Sequence, residues 1–176
     1  MVVIFALIVL PVASYFAFAV QSSGETFAPT QNKVVYNLPY PGILSDNPLY
    51  IFKAIRDYIV DFLTRDGLKK AQLYLLYSDK RVAMAEALAR EGKNMQAITA
   101  LSKGEKYFLK IPDVLKNAKS QGEAAPSTFI ETLKLANAKH AEVITELMKT
   151  LPIGLNDQLS LISNINLSIK KSLQSL

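Results

Sequence analysis

Apolar and polar residues are arranged along the chain in three different ways. Residues 1–20, MVVIFALIVLPVASYFAFAV, contain no charge and no glycine, with hydroxyls only at Ser14 and Tyr15. As a helix, a stretch of this length spans about 30 Å of hydrocarbon. From residue 21 to residue 47 the composition turns to Ser, Gly, Thr, Pro, Gln and Asn, with a brief Val34-Val35-Tyr36 and no sustained period, which reads as a linker. From Pro48 onward apolar residues recur at three- and four-residue steps, the period of helices with one buried face.

The helical part divides at turn signals. A first helix is expected from Pro48 to Thr64 on Leu49, Phe52, Ile55, Ile59, Phe62 and Leu63, opened by Asp46-Asn47-Pro48 as an Asx cap with proline in the first turn. A second runs from Leu68 to Glu91 with Gly92 as its C-terminal cap. A third starts with Asn94 as cap and carries Ile98, Leu101, Phe108, Ile111, Leu115 and Ala118, with Pro112 kinking or restarting it. Thr128 and Glu131 have the spacing of a capping box for a fourth, which runs to Leu151 before Pro152 and Gly154. A fifth begins near Asn156, its apolar face of Leu159, Ile162, Ile169, Leu173 and Leu176 interrupted by Asn166. The expected fold class is all-α: a bundle of four to five helices preceded by an N-terminal apolar signal or anchor helix and an extended linker. The corresponding domains are residues 1–20, 21–47 and 48–176.

The N-terminal segment has two readings. Ala17-Phe18-Ala19 followed by polar residues has the form of a signal-peptidase site, so that residues 20–176 would be released, whereas retention would leave a membrane anchor. No Lys or Arg precedes the apolar run to orient it. Both readings place the rest of the chain in the cell envelope, exported and either anchored or secreted, with the membrane as a partner through residues 1–20.

Composition excludes several chemistries. The chain has no cysteine, hence no thiolate nucleophile, disulfide or thiolate zinc site, and its one histidine is His140. His140 lies in register with Leu133, Ala136, Ile144 and Leu147, so it reads as a buried structural residue with one hydrogen bond; if neutral, it would make the fold sensitive to acid. The carboxylates read as single solvated surface groups. No glycine-rich phosphate loop, serine elbow or metal-ligand spacing is present, so neither catalytic residues nor cofactors are expected. The formal charge is +5, and residues 67–122 hold eleven Lys and Arg against five Asp and Glu, which reads as a solvated basic surface without a nucleic-acid-binding motif.

Pro41-Gly42-Ile43-Leu44-Ser45-Asp46-Asn47-Pro48-Leu49-Tyr50-Ile51-Phe52-Lys53 resembles the opening Pro-Gly-x-Leu-Pro-Asp-x-Pro-Leu-Tyr-x-x-Lys of an uncharacterised family of bacterial exported helical domains, with Ser45 in place of its second proline. Lys69-Lys70-Ala71-Gln72-Leu73, Arg81 to Leu88 and the segment from Lys139-His140 to Leu151-Pro152 extend the similarity over residues 38–165. The resemblance implies export and an all-α fold without an activity. It also implies a structural role for Pro41, Gly42, Asp46, Pro48 and Tyr50, in fixing how the first helix meets the bundle. The expected function is a non-enzymatic interaction or scaffold domain of the cell envelope, the alternative being an extracytoplasmic module that binds or senses a small ligand or ion. The first and last helices carry apolar residues beyond one stripe (Tyr50, Ile51, Tyr58, Val60; Leu161, Ile165, Leu167), so they are expected either to cover each other or to meet a protein partner, which includes a second copy. The lysines of the two middle helices are expected to point away from that face.

Overall fold

Helical periodicity is realised through almost all of the chain for which the computed structural model describes a conformation, residues 33–176. The signal or anchor expectation for residues 1–20 lies outside the described residues. Among the described residues the elements are α1 Tyr50–Leu63, α2 Gly67–Arg90, α3 Asn94–Leu109, α4 Ile111–Ser120, α5 Ser127–Thr150, a 3-10 turn Ile153–Leu155 and α6 Asn156–Leu173, with no strand. Pro112 has no amide to offer the carbonyl four residues back, and α3 and α4 are accordingly one rod broken at Lys110, giving five rods in all. None of these helices is long and apolar enough to cross a membrane.

The helix ends partly follow their expected chemistry. Asp66 accepts a hydrogen bond from the Lys69 amide at 2.8 Å and opens α2, while Gly92, at φ +75°, closes it. The Asx cap, however, becomes a turn ahead of α1: Asn47 Oδ1 accepts from the Leu49 amide at 2.9 Å, and the helix begins only at Tyr50. Asn94 is itself the first residue of α3. The Thr128–Glu131 capping box does not form, because α5 starts at Ser127 and Glu131 pairs instead with Lys134 at 2.8 Å.

Residues 34–176 form one compact unit, so the chain joins the bundle well before α1. Leu38 and Leu44 pack on the core, the Val34 amide donates to Glu142 Oε2 at 2.9 Å and the Tyr36 hydroxyl donates to Asp79. Residues 34–47, expected as linker, are therefore held to the domain.

The core has two apolar clusters stacked along the bundle. One gathers Val82, Met84, Leu88, Ile98, Leu101, Ile144, Leu147 and Leu159; the other gathers Tyr74, Phe108, Ile111, Leu115, Leu133 and Ile169. Each of α2, α3, α5 and α6 contributes to both, and on each the boundary is marked by buried polar residues: Ser78 and Asp79, Glu105, Asn137 and His140, and Asn166.

At this level α2 and α3 come close together at Gly104. A Cβ there would lie 3.2 Å from the Ser78 carbonyl oxygen and 3.2 Å from Val82 Cγ2, and the Ser78 hydroxyl donates to the Gly104 carbonyl at 2.9 Å. Gly104→Val should therefore cost about 2 kcal/mol by forcing two packed backbones apart. Gly104→Ala should be near neutral, since a helix-propensity gain of up to about 1 kcal/mol offsets the tight contact. Urea denaturation of the two variants checks this, and equal stability of the valine variant and the parent would refute it.

Candidate functional site

α1 is built with its amphipathicity inverted. Asp57 is only 5 % exposed, whereas Phe52 and Phe62 are 68 % and 71 % exposed, and Ile51, Ile55, Tyr58, Ile59 and Leu63 are exposed with them. Polar groups hold the inward side. The Tyr77 hydroxyl donates to the Asp57 carbonyl at 3.2 Å, Arg56 donates to Asp57 Oδ1 at 2.7 Å, Lys70 lies 3.5 Å from Asp61 Oδ1, and Arg81 donates to the Tyr50 hydroxyl. Leu161 and Leu167 of α6 are exposed as well, so α1 and α6 do not cover each other's apolar residues.

The segment before α1 braces this arrangement. Gly42 takes φ +70°, a conformation that favours glycine, and the Lys53 ammonium donates to the carbonyls of Pro41 at 2.7 Å and Ile43 at 3.3 Å. Burial depresses the Lys53 pKa, and the nearby Arg81, Lys80 and Arg56 add to the effect while Asp57 opposes it. Asp46 pairs with Lys93, whose hydrogen bond holds that carboxyl below its usual range. Together with the turn at Pro48 and the Tyr50 contact, this places Pro41, Gly42, Asp46, Pro48 and Tyr50 along one brace between α1 and the bundle.

Beside α1 lies a cleft of about 350 Å³ lined by Tyr50, Ala54, Arg81, Lys103, Lys106, Tyr107 and Lys110. No carboxylate is among these lining residues. The Arg81 guanidinium sits 5.0 Å from the Tyr107 ring centre and the Lys110 ammonium 5.1 Å from it, so the aromatic face partly balances the crowded cations. Arg81 Nε is buried and makes no hydrogen bond among the described residues. Arg81 of α2, Lys103 and Lys106 of α3 and Lys110 at the break after it border α1, contrary to the expectation that they would point away from its apolar face.

On the inward side of the same helices, the His140 ring lies fully buried between two carboxylates, with Nδ1 2.8 Å from Glu105 Oε1 and Nε2 2.9 Å from Asp79 Oδ1. Phe108 meets the ring edge-on at 5.3 Å between centres. Tyr36 donates to Asp79 Oδ2, and the Asn166 amide donates to Glu105 Oε2 at 3.2 Å and to the Asn137 carbonyl at 3.2 Å. Burial by itself disfavours the imidazolium, but the hydrogen bonds and charges of Asp79 and Glu105 outweigh it and raise the pKa to about 9. The raised pKa of His140 favours the imidazolium over the neutral ring, and the expected single hydrogen bond is corrected to two carboxylate partners. Because its two nitrogens face opposite carboxylates, the three groups do not converge on one point, and no metal-binding group of three is found among the described residues.

Sequence reasoning placed His140 inside but missed its partners. Asp79 follows Leu75 at four residues and precedes Val82 at three; Glu105 stands likewise between Leu101 and Phe108. A carboxylate on each apolar stripe was the available signal.

The model of a family described as Domain of unknown function (DUF5667) matches residues 42–154, well over half of the chain. The chain belongs to the DUF5667 family. No curated protein and no solved structure matches it. The DUF5667 match spans α1 to α5, and so includes the outward apolar face, the cleft and the Asp79, Glu105 and His140 group.

Proposed function

We propose that this DUF5667 protein is a non-enzymatic interaction domain of the cell envelope, exported and held there by the apolar residues 1–20, and that its binding surface is the outward face of α1. The observation that carries this reading is the inversion of α1, which directs carboxylates inward and aromatic and branched aliphatic side chains outward. Soluble monomers rarely leave so contiguous an apolar surface uncovered. The enclosure of His140 supports a non-catalytic role, because its imidazole is committed to two carboxylates away from solvent.

The test is site-specific photocrosslinking of the full chain in the native envelope. Benzophenone side chains at Phe52, Ile55 and Ile59 should yield discrete lipid or protein adducts, and one at Thr99, exposed on α3, should not. Equal yields at all four positions would dismiss α1 as the binding surface. A second reading, a module for a small anionic ligand, is favoured by the carboxylate-free cleft.

A further inference from the structure

The identity of what α1 meets can be narrowed, on the reading that its outward face is a binding surface. We propose that α1 docks onto a bilayer surface containing anionic lipid, its apolar face entering the boundary between headgroups and acyl chains while a lipid phosphate occupies the cleft of Arg81, Lys103, Lys106 and Lys110. Two features support this. Ile51, Ile55, Tyr58 and Phe62 follow one another at three- and four-residue steps beside Ala54, which itself lines the cleft, so the apolar stripe and the cations are contiguous. That adjacency is the pattern of a helix lying in a membrane interface, where apolar burial and attraction to anionic headgroups add. The cleft is also lined by the Arg81 guanidinium, a group suited to phosphate.

Charge argues against a second copy of the chain as the occupant. A two-fold contact through α1 would bring two clefts, each with four cations and no lining carboxylate, to the same interface. An anionic lipid surface supplies the missing counter-charge. Chain length agrees: the fourteen steps from Val20 to Val34 reach at most about 50 Å, so a membrane-embedded residue 20 keeps the domain near the bilayer.

The absence of cysteine makes the experiment direct. Full-length chains carrying one nitroxide label, at Ile55→Cys, Ile59→Cys, Phe62→Cys or the control Thr99→Cys, are reconstituted into phosphatidylcholine vesicles with or without about 30 % phosphatidylglycerol. Labels on α1 should become accessible to oxygen and protected from a water-soluble nickel chelate only when phosphatidylglycerol is present, and the protection should fall with added salt. Lys103→Gln, Lys106→Gln and Lys110→Gln should each lower the docked-to-free ratio about five-fold. These lysines are exposed, and circular dichroism confirms that the variants remain folded. Protection with dipolar broadening between labels would mean a second copy and would overturn the lipid proposal while leaving α1 a binding surface. Protection independent of phosphatidylglycerol would equally overturn it, pointing to residues 1–20 or another apolar contact. Full chelate access in every vesicle, with no adducts at α1 in the envelope, would sink both.

Discussion

Replacing His140 by Gln is expected to lower the thermal unfolding midpoint by roughly 10 °C, the equivalent of about 3–5 kcal/mol for a domain of this size. Among the described residues the His140 ring is the only cationic group bonded to both Asp79 and Glu105, which are 4 % and 0 % exposed. Glutamine keeps the approximate volume but presents an amide oxygen as well as an amide nitrogen, so at most one carboxylate keeps a donor from position 140 and neither retains a counter-charge. The cost comes mainly from the stranded anions, which the remaining Tyr36 and Asn166 donors do not neutralise. Adding Asp79→Asn and Glu105→Gln to the His140→Gln chain should recover much of the loss, a coupling that loss of packing alone would not give. Circular dichroism melts of the single and triple variants at neutral pH provide the measurement. A His140→Gln midpoint within 2 °C of the parent would show that the buried group carries little of the stability.

Stability should decline on the alkaline side because of the same residue. Its pKa rises from 6.5 in the unfolded chain to about 9 in the fold. Below about pH 6.5 both states hold the proton and the imidazolium contributes in full; as pH rises toward about 9 the folded state alone retains it, and stability falls with each step. The total loss through this window is roughly 3 kcal/mol at 1.4 kcal/mol per unit. Burial, together with its hydrogen bond to Asp79, also raises the Tyr36 pKa, so that group adds a further loss at still higher pH. Urea midpoints taken at half-unit intervals from pH 6 to 9.5 should fall for the parent and stay level through the imidazole window for His140→Gln. A parent curve that stays level from about pH 7 to 9 would mean that the ring is neutral in the fold.

The helices were legible because their apolar residues keep a helical period and Gly92 and Pro112 mark their breaks, each acting through its own backbone chemistry, whereas the Asp66 cap of α2 was not read. The interruption at Asn166 was visible too, but its meaning was not: Asn166 breaks an apolar stripe because it supplies a donor to Glu105 on another helix. Period alone reports which face of a helix is inward, and a carboxylate on that face looks like a surface residue until its partner is located. α1 misled for the opposite reason. Its apolar period is the strongest kind of evidence for an amphipathic helix, yet period cannot tell core from any other apolar surroundings, and here Asp57 and Asp61 turn toward the bundle while the stripe turns away. Residues 34–47 lacked any period, since they attach through single groups, the Val34 amide, the Tyr36 hydroxyl and the Leu38 and Leu44 side chains.

The two neutral donors to the buried carboxylates come from opposite ends of the chain, Tyr36 ahead of the shared DUF5667 span of residues 42–154 and Asn166 beyond it. A fragment cut to the inherited boundaries would keep the three charged residues and lose both groups that complete their hydrogen bonding. The compact unit of residues 34–176 is thus larger than the span that is recognisably inherited, and its buried carboxylates have all their partners only when its first extended residues and its last helix are both present.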